Sequence, residues 1–137
     1  MALDELLAKQ VPYSIEAEQA VLGSMLIDPK RIPEVMEVLK QEDFYLENNR
    51  ILYEAMQKMF LESRSVDPVT VLDEVKLMGY RDEMPRDYVL QLVDTTPHSA
   101  NLLDYAKIVR GKSMLRELHV KEVGYNKMLT LVKSLLH

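Results

Sequence analysis

Fifteen residues, Ser14–Asp28 (SIEAEQAVLGSMLID), constrain this chain more than any other stretch. Ser14 suits a helix N-cap, where its hydroxyl accepts a free backbone N–H, and Glu16 in the first turn favours the positive end of the helix dipole. On a helical wheel Glu16, Gln19 and Gly23 form one narrow polar stripe. Ile15, Ala17, Ala20, Val21, Leu22, Met25 and Leu26 cover most of the remaining circumference. A helix this apolar on most sides is packed by several neighbours at once. Ala17, Ala20 and Gly23 are small enough for those neighbours to approach its backbone closely. Glu18 stands inside the apolar arc, between Leu22 and Met25. Three readings of it stay open: exposure in the first turn, which is favoured, a structural ion pair, or catalysis. If buried, it needs a cationic or N–H partner.

A chain of 137 residues, 47% hydrophobic and 28% charged, is expected to form one domain with a true core. The net charge of −5 argues against a module built to grip phosphates, though a local basic patch is still compatible with it. There are no cysteines, which excludes disulfides and thiolate metal sites. No apolar run reaches the roughly 18 residues a membrane span needs, so no membrane partner is expected. Met1–Gln10 lacks the layout of a signal peptide, and the expected location is cytoplasmic. Only four glycines and few β-branched runs point to an all-α fold.

Taken in order, Leu3–Lys9 suits a short helix that Pro12 ends. Asp28-Pro29 is a helix start, and the helix it opens runs to about Lys40 with Val35, Val38 and Leu39 inward; Pro33 pushes the true start later. Phe44 is a large aromatic in a connector and is expected to plug the core. Residues 48–62 carry Ile51, Leu52, Tyr53, Ala55, Met56, Met59 and Phe60 on one side. Leu61 falls among their polar residues, either idle or a contact for another chain. Asp67-Pro68 opens a helix that ends at Gly79, and Tyr80–Met84 reads as a loop. A helix from Pro85 to Thr95 presents Tyr88, Val89, Leu92 and Val93. His98 or Ser99 opens the last helix.

In that helix Leu102, Tyr105, Ala106 and Val109 make one stripe, which continues into the mostly polar Ser113, Arg116, Glu117 and Val120. The apolar residues after Gly111 are instead Met114, Leu115 and Leu118. The helix therefore either breaks near Gly111 or exchanges packing partners there. A second amphipathic segment, Asn126–Leu136, follows Gly124, and two such segments joined by a turn form a helical hairpin. A hairpin with so small a core is expected to pair with a second copy. The expected fold is a compact globule of about five or six helices, then this hairpin. Its parts are a tail over 1–11, a globule over 12–110 and the hairpin over 111–137.

Gly111-Lys112-Ser113 invites a phosphate-loop reading, but the position needing the earlier glycine is Ala106 and the preceding segment is helical, not a strand. His98, His119 and His137 have no ligand partner at helical spacing, so no metal site is expected. The acid pairs Glu16/Glu18 and Glu42/Asp43 read as helix starts and a solvated turn rather than as an acid–base couple. No catalytic, cofactor or metal residues are assigned. The nine methionines read mostly as core.

The stretch from Pro12 through Leu26, PYSIEAEQAVLGSML, resembles the opening of the N-terminal domain of DnaB-type replicative helicases. Further blocks follow in matching order: Glu42-Asp43-Phe44-Tyr45, Arg50–Met56, Val66–Val71, Thr96-Pro97 with Ala100-Asn101, and Tyr105–Val109 running on to Leu115–Leu118. Two places depart from the family. Met84-Pro85-Arg86-Asp87 stands where paired glycines are frequent, and Asn49 replaces a frequent histidine. Phage-encoded versions diverge in this way. The resemblance implies a non-catalytic collar domain of a hexameric motor that unwinds duplex DNA 5′ to 3′. ATP and Mg²⁺ would be held, and DNA mainly contacted, by a RecA-like domain absent from this chain. It also implies self-pairing into a trimer of dimers, and docking of primase and helicase loader. Met114, Leu115, Leu118, Val123, Met128, Leu131, Val132 and Leu135 are the candidate hairpin and dimer face. The competing reading is a free-standing helical adaptor that mimics the collar.

Overall fold

A computed structural model of the protein describes residues 11–80 and 84–136. Among these residues the secondary structure is all helical, as the composition predicts. Six α-helices are formed: α1 (Ile15–Ile27), α2 (Ile32–Val38), α3 (Glu47–Leu61), α4 (Pro68–Leu77), α5 (Arg86–Asp94) and α6 (Leu102–Leu136). Short 3₁₀ turns over Pro29–Arg31 and Gln41–Asp43 precede α2 and the α3 connector. The helix expected over Leu3–Lys9 lies outside the described residues.

α1 is the enclosed helix that its sequence demands. Val21, Leu22, Gly23, Ser24, Met25 and Leu26 are all buried in succession, and α3, α5 and α6 pack around it. Ser14 Oγ caps it by accepting the Ala17 N–H at 3.2 Å. Gly23 lets the end of α5 lie directly against the α1 backbone. A Cβ there would fall 2.7 Å from the Leu92 carbonyl oxygen and closer still to Thr96 Oγ1.

The other elements follow local rules. Pro29 and then Pro33 delay regular helix, so α2 starts only at Ile32, with Pro33 in its first turn, and stops at Val38. Leu39 is extended yet buried, and Tyr53 Oη donates to its carbonyl at 2.7 Å. Phe44 is fully buried against Tyr53, ring centroids 5.0 Å apart. Asp67 and Thr70 cap α4 reciprocally: the Thr70 N–H donates to Asp67 Oδ1 at 2.9 Å and the Asp67 N–H to Thr70 Oγ1 at 3.0 Å. Ser99 does not cap α6. Its hydroxyl donates to Asp28 Oδ2 at 2.9 Å, tying the α5–α6 connector to the end of α1.

Two expectations about the last helix are corrected. The helix does not break at Gly111, and no turn forms at Gly124: Leu102–Leu136 is one helix of 35 residues, so the C-terminal hairpin is not formed within these residues. A helical glycine costs about 1 kcal/mol relative to alanine, which weakens a helix without ending it when helix formers flank it and no proline follows. Leu102, Ala106 and Val109 are fully buried on the body, and the same face continues against it through Ser113 and the half-buried Arg116.

Candidate functional site

The polar groups that position α6 begin at Glu18. This residue is 1% exposed, so the favoured first-turn exposure is wrong; α1 enters the body at its first turn. Its partners are N–H groups. Oε2 accepts the Tyr45 N–H at 2.8 Å, and Oε1 accepts Asn49 Nδ2 at 2.9 Å and the Leu46 N–H at 3.4 Å. Leu46 heads α3 with no capping side chain of its own, so Glu18 supplies from α1 the anion that the α3 N-terminus favours. Asn49 is fully buried, and its Oδ1 accepts the Tyr88 hydroxyl of α5. Burial raises the pKa of that tyrosine.

A second buried carboxylate, Asp43, faces α6. Oδ2 accepts the Lys40 N–H at 2.7 Å; Oδ1 accepts Ser113 Oγ at 2.7 Å and Arg110 Nη1 at 3.0 Å. Arg116, two turns along from Arg110, donates from Nη2 to the Asp43 carbonyl oxygen at 2.6 Å and from Nη1 to the Pro12 carbonyl oxygen at 3.0 Å. Its guanidinium lies 5.5 Å from the centre of the Tyr45 ring, which in turn stacks on Tyr13 at 4.3 Å. Desolvation here lowers the Arg116 pKa from its ordinary value. Beside this cluster an open groove of about 890 Å³ separates α2 from α6, with Glu37, Lys40, Arg110, Glu117 and His119 on its walls.

The sequence gives no direct sign of this cluster. The one usable signal is that the inward stripe of α6 turns polar at Ser113 and Arg116. That is the mark of a buried polar partner.

The opposite face of α6 is apolar and uncovered. Met114, Leu115 and Leu118 are 50%, 49% and 62% exposed, and Ile108 precedes them at 44%. Val132 and Leu135 are also exposed. The side chains of Val123, Met128 and Leu131 are outside those described. Thus five of the eight candidate residues stand clear of the body, and the polar contacts of Arg110, Ser113 and Arg116 hold the helix so that they do.

The described acids offer no reactive arrangement. Glu18 and Asp43 are saturated by donors, and Glu74, also buried, pairs with Arg64, whose pKa is raised chiefly by that bond. No group of three or more His, Cys, Asp or Glu side chains able to hold a metal occurs among the described residues. His98 Nδ1 accepts the Ala100 N–H at 3.3 Å, a connector role. No helix among the described residues is long and apolar enough to cross a membrane.

Residues 10–111 match the family described as the DnaB-like helicase N-terminal domain. The chain is 38% identical over 118 residues to the replicative DNA helicase DnaB of Geobacillus stearothermophilus, covering 85% of this chain and 26% of that protein. It is 34% identical over 108 residues to DnaB of Haemophilus influenzae, covering 78% of this chain and 23% of the relative. The chain therefore spans about a quarter of the length of these curated relatives. Among solved structures, the N-terminal domain of DnaB helicase from Mycobacterium tuberculosis superposes with a TM-score of 0.77 at 36% identity, covering 85% of this chain and 84% of that one. The N-terminal domain of DnaB helicase from Helicobacter pylori, a structure described with its interactions with primase, shares the fold. Its TM-score is 0.64 at 21% identity, over 88% of this chain and 90% of that one.

Proposed function

Because the chain belongs to the family of DnaB-like helicase N-terminal domains, we propose that it acts as the collar of a hexameric replicative helicase, serving self-assembly and the docking of primase and helicase loader. The observation that carries this reading is the outward face of α6. A helix fixed to its own globule by one face, with Met114, Leu115 and Leu118 bare on the other, is built to meet another helix. In this reading the globule ends near residue 110 and residues 111–136 are the assembly arm, a rod rather than a hairpin. Along it, alternating spacings of four and three run through Met114, Leu118, Lys121, Tyr125, Met128, Val132 and Leu135, the register of a two-helix seam. Leu115 and Leu131 take positions flanking that seam, and Val123 takes one on the opposite side of a continuous helix. The second copy is the occupant, with dimers assembling three to a ring.

The activity of the whole helicase, ATP-driven 5′ to 3′ unwinding with Mg²⁺, is assigned to a RecA-like motor domain outside this chain. DNA is contacted mainly there, and the protein works in the cytoplasm. The net charge of −5 supports a surface that docks proteins rather than grips DNA. Primase docking rests on the H. pylori relative, whose structure is described with primase.

Sedimentation velocity on this chain and on its Leu118→Asp/Val132→Asp variant tests the reading. The chain should sediment as a dimer or larger and the variant as a monomer with an unchanged helical spectrum. A chain that is monomeric at all concentrations, or a variant that still associates, would overturn it.

A further inference from the structure

The attachment of α6 changes character at one residue. Up to Val109 the helix is held by apolar burial, with Leu102, Ala106 and Val109 essentially inaccessible. The contacts of Arg110, Ser113 and Arg116 are polar instead, and all of them converge on Asp43 and the Pro12 carbonyl. Gly111 stands where the polar contacts begin, just after Arg110 and before Ser113 and Arg116, on the outer side of the helix with open space where a Cβ would go. Nothing in the packing requires a glycine there, unlike Gly23, where α5 leaves no room for a side chain. Glycine is the weakest ordinary residue for holding a helix straight, and sharp bends concentrate at Gly and Ser. Polar contacts, unlike apolar burial, can be replaced by bonds to water when the segment carrying them moves away.

We propose that Gly111 is a hinge in α6, and that Ser113 and Arg116, the two contacts beyond it, form a clasp on Asp43 and the Pro12 carbonyl that locks the hinge straight. With the clasp closed, α6 leaves the body in the direction seen here. With it open, the helix beyond Gly111 swings as an arm while Leu102–Val109 stays seated. The clasp is reached from outside the arm as well. Arg116 also holds the Pro12 carbonyl and lies over Tyr45, whose partner Tyr13 is exposed, so displacing the 12–13 or 43–45 segments unlocks the arm. The hinge does not depend on what the arm binds, and it stands or falls separately from the collar reading.

The chain has no cysteine, so two can be placed at will. Spin labels on Lys58→Cys in the body and Lys127→Cys in the arm, both exposed, report the distance across the hinge. Diluting the labelled chain in an excess of unlabelled chain removes distances between copies. A bend of about 20° at Gly111 displaces a label about 24 Å along the helix by about 8 Å. The unsubstituted chain should give one narrow distance. Ser113→Ala/Arg116→Met should add a second population shifted by that amount, and adding Gly111→Ala should remove it. A double variant that keeps the single distance, or a second population that survives Gly111→Ala, overturns the proposal. If the double variant loses the cooperative melt of the body, Arg116→Lys, which keeps the charge but loses the planar two-armed guanidinium, is judged by the same criteria.

Discussion

At the scale of single residues, the stability of this body rests on a few polar groups inside an apolar frame. Glu18 holds the Tyr45 N–H and the Asn49 amide, and through Asn49 it reaches Tyr88, so one carboxylate on α1 ties together α3 and α5. Removing it leaves buried donors without acceptors, each worth about 1–3 kcal/mol. Glu18→Ala is therefore expected to destabilise the chain by about 2–4 kcal/mol, and Glu18→Gln, which keeps one acceptor, by about 1 kcal/mol. Urea unfolding measures both. A Glu18→Ala variant within about 0.5 kcal/mol of the parent would show that the carboxylate is not the joint it is taken to be. Sequence could say that Glu18 needs a partner if buried, but not that it is buried. Its acceptor role depends on backbone N–H groups 27 and 28 residues away, which carry no side-chain signature.

At the scale of elements, the glycines separate what the chain reveals about itself from what it conceals. Gly23 belongs to the polar stripe of α1, and its smallness already implies a close neighbour; the structure supplies the end of α5. The starts of α1 and α4 are equally readable, because Ser14 and Asp67 carry their own capping oxygen. Gly111 and Gly124 are ambiguous by nature. The penalty of a helical glycine is too small to decide between a break and a continuation, and neighbouring residues decide it. Opposite effects follow for one substitution. Gly23→Ala should lower stability by about 1–3 kcal/mol through overpacking against Thr96 and Leu92, whereas Gly111→Ala, with space around it, should raise it by up to about 1 kcal/mol. Thermal melts of the two variants side by side check this. A shift of the same sign in both would refute the distinction.

At the scale of the whole molecule, a buried helix gathers the globule and a long helix runs out of it with one face spent and one face bare. The globule and the family were both readable in the sequence, because the apolar pattern of Ser14–Asp28 and the order of the later blocks are strong signals. The outward direction of Met114, Leu115 and Leu118 was readable too, from the shift of apolar positions after Gly111. What pins the helix so that they face outward was not, since Asp43 and Arg116 meet across 73 positions of sequence. The proposed collar requires a second copy to cover this bare face. Backbone hydrogen exchange, followed residue by residue at low and at high protein concentration, tests it most directly. Protection should rise with concentration along residues 114–136 and stay unchanged in the globule. Exchange along that stretch that is indifferent to concentration, or a concentration effect confined to α2–α5, would contradict it.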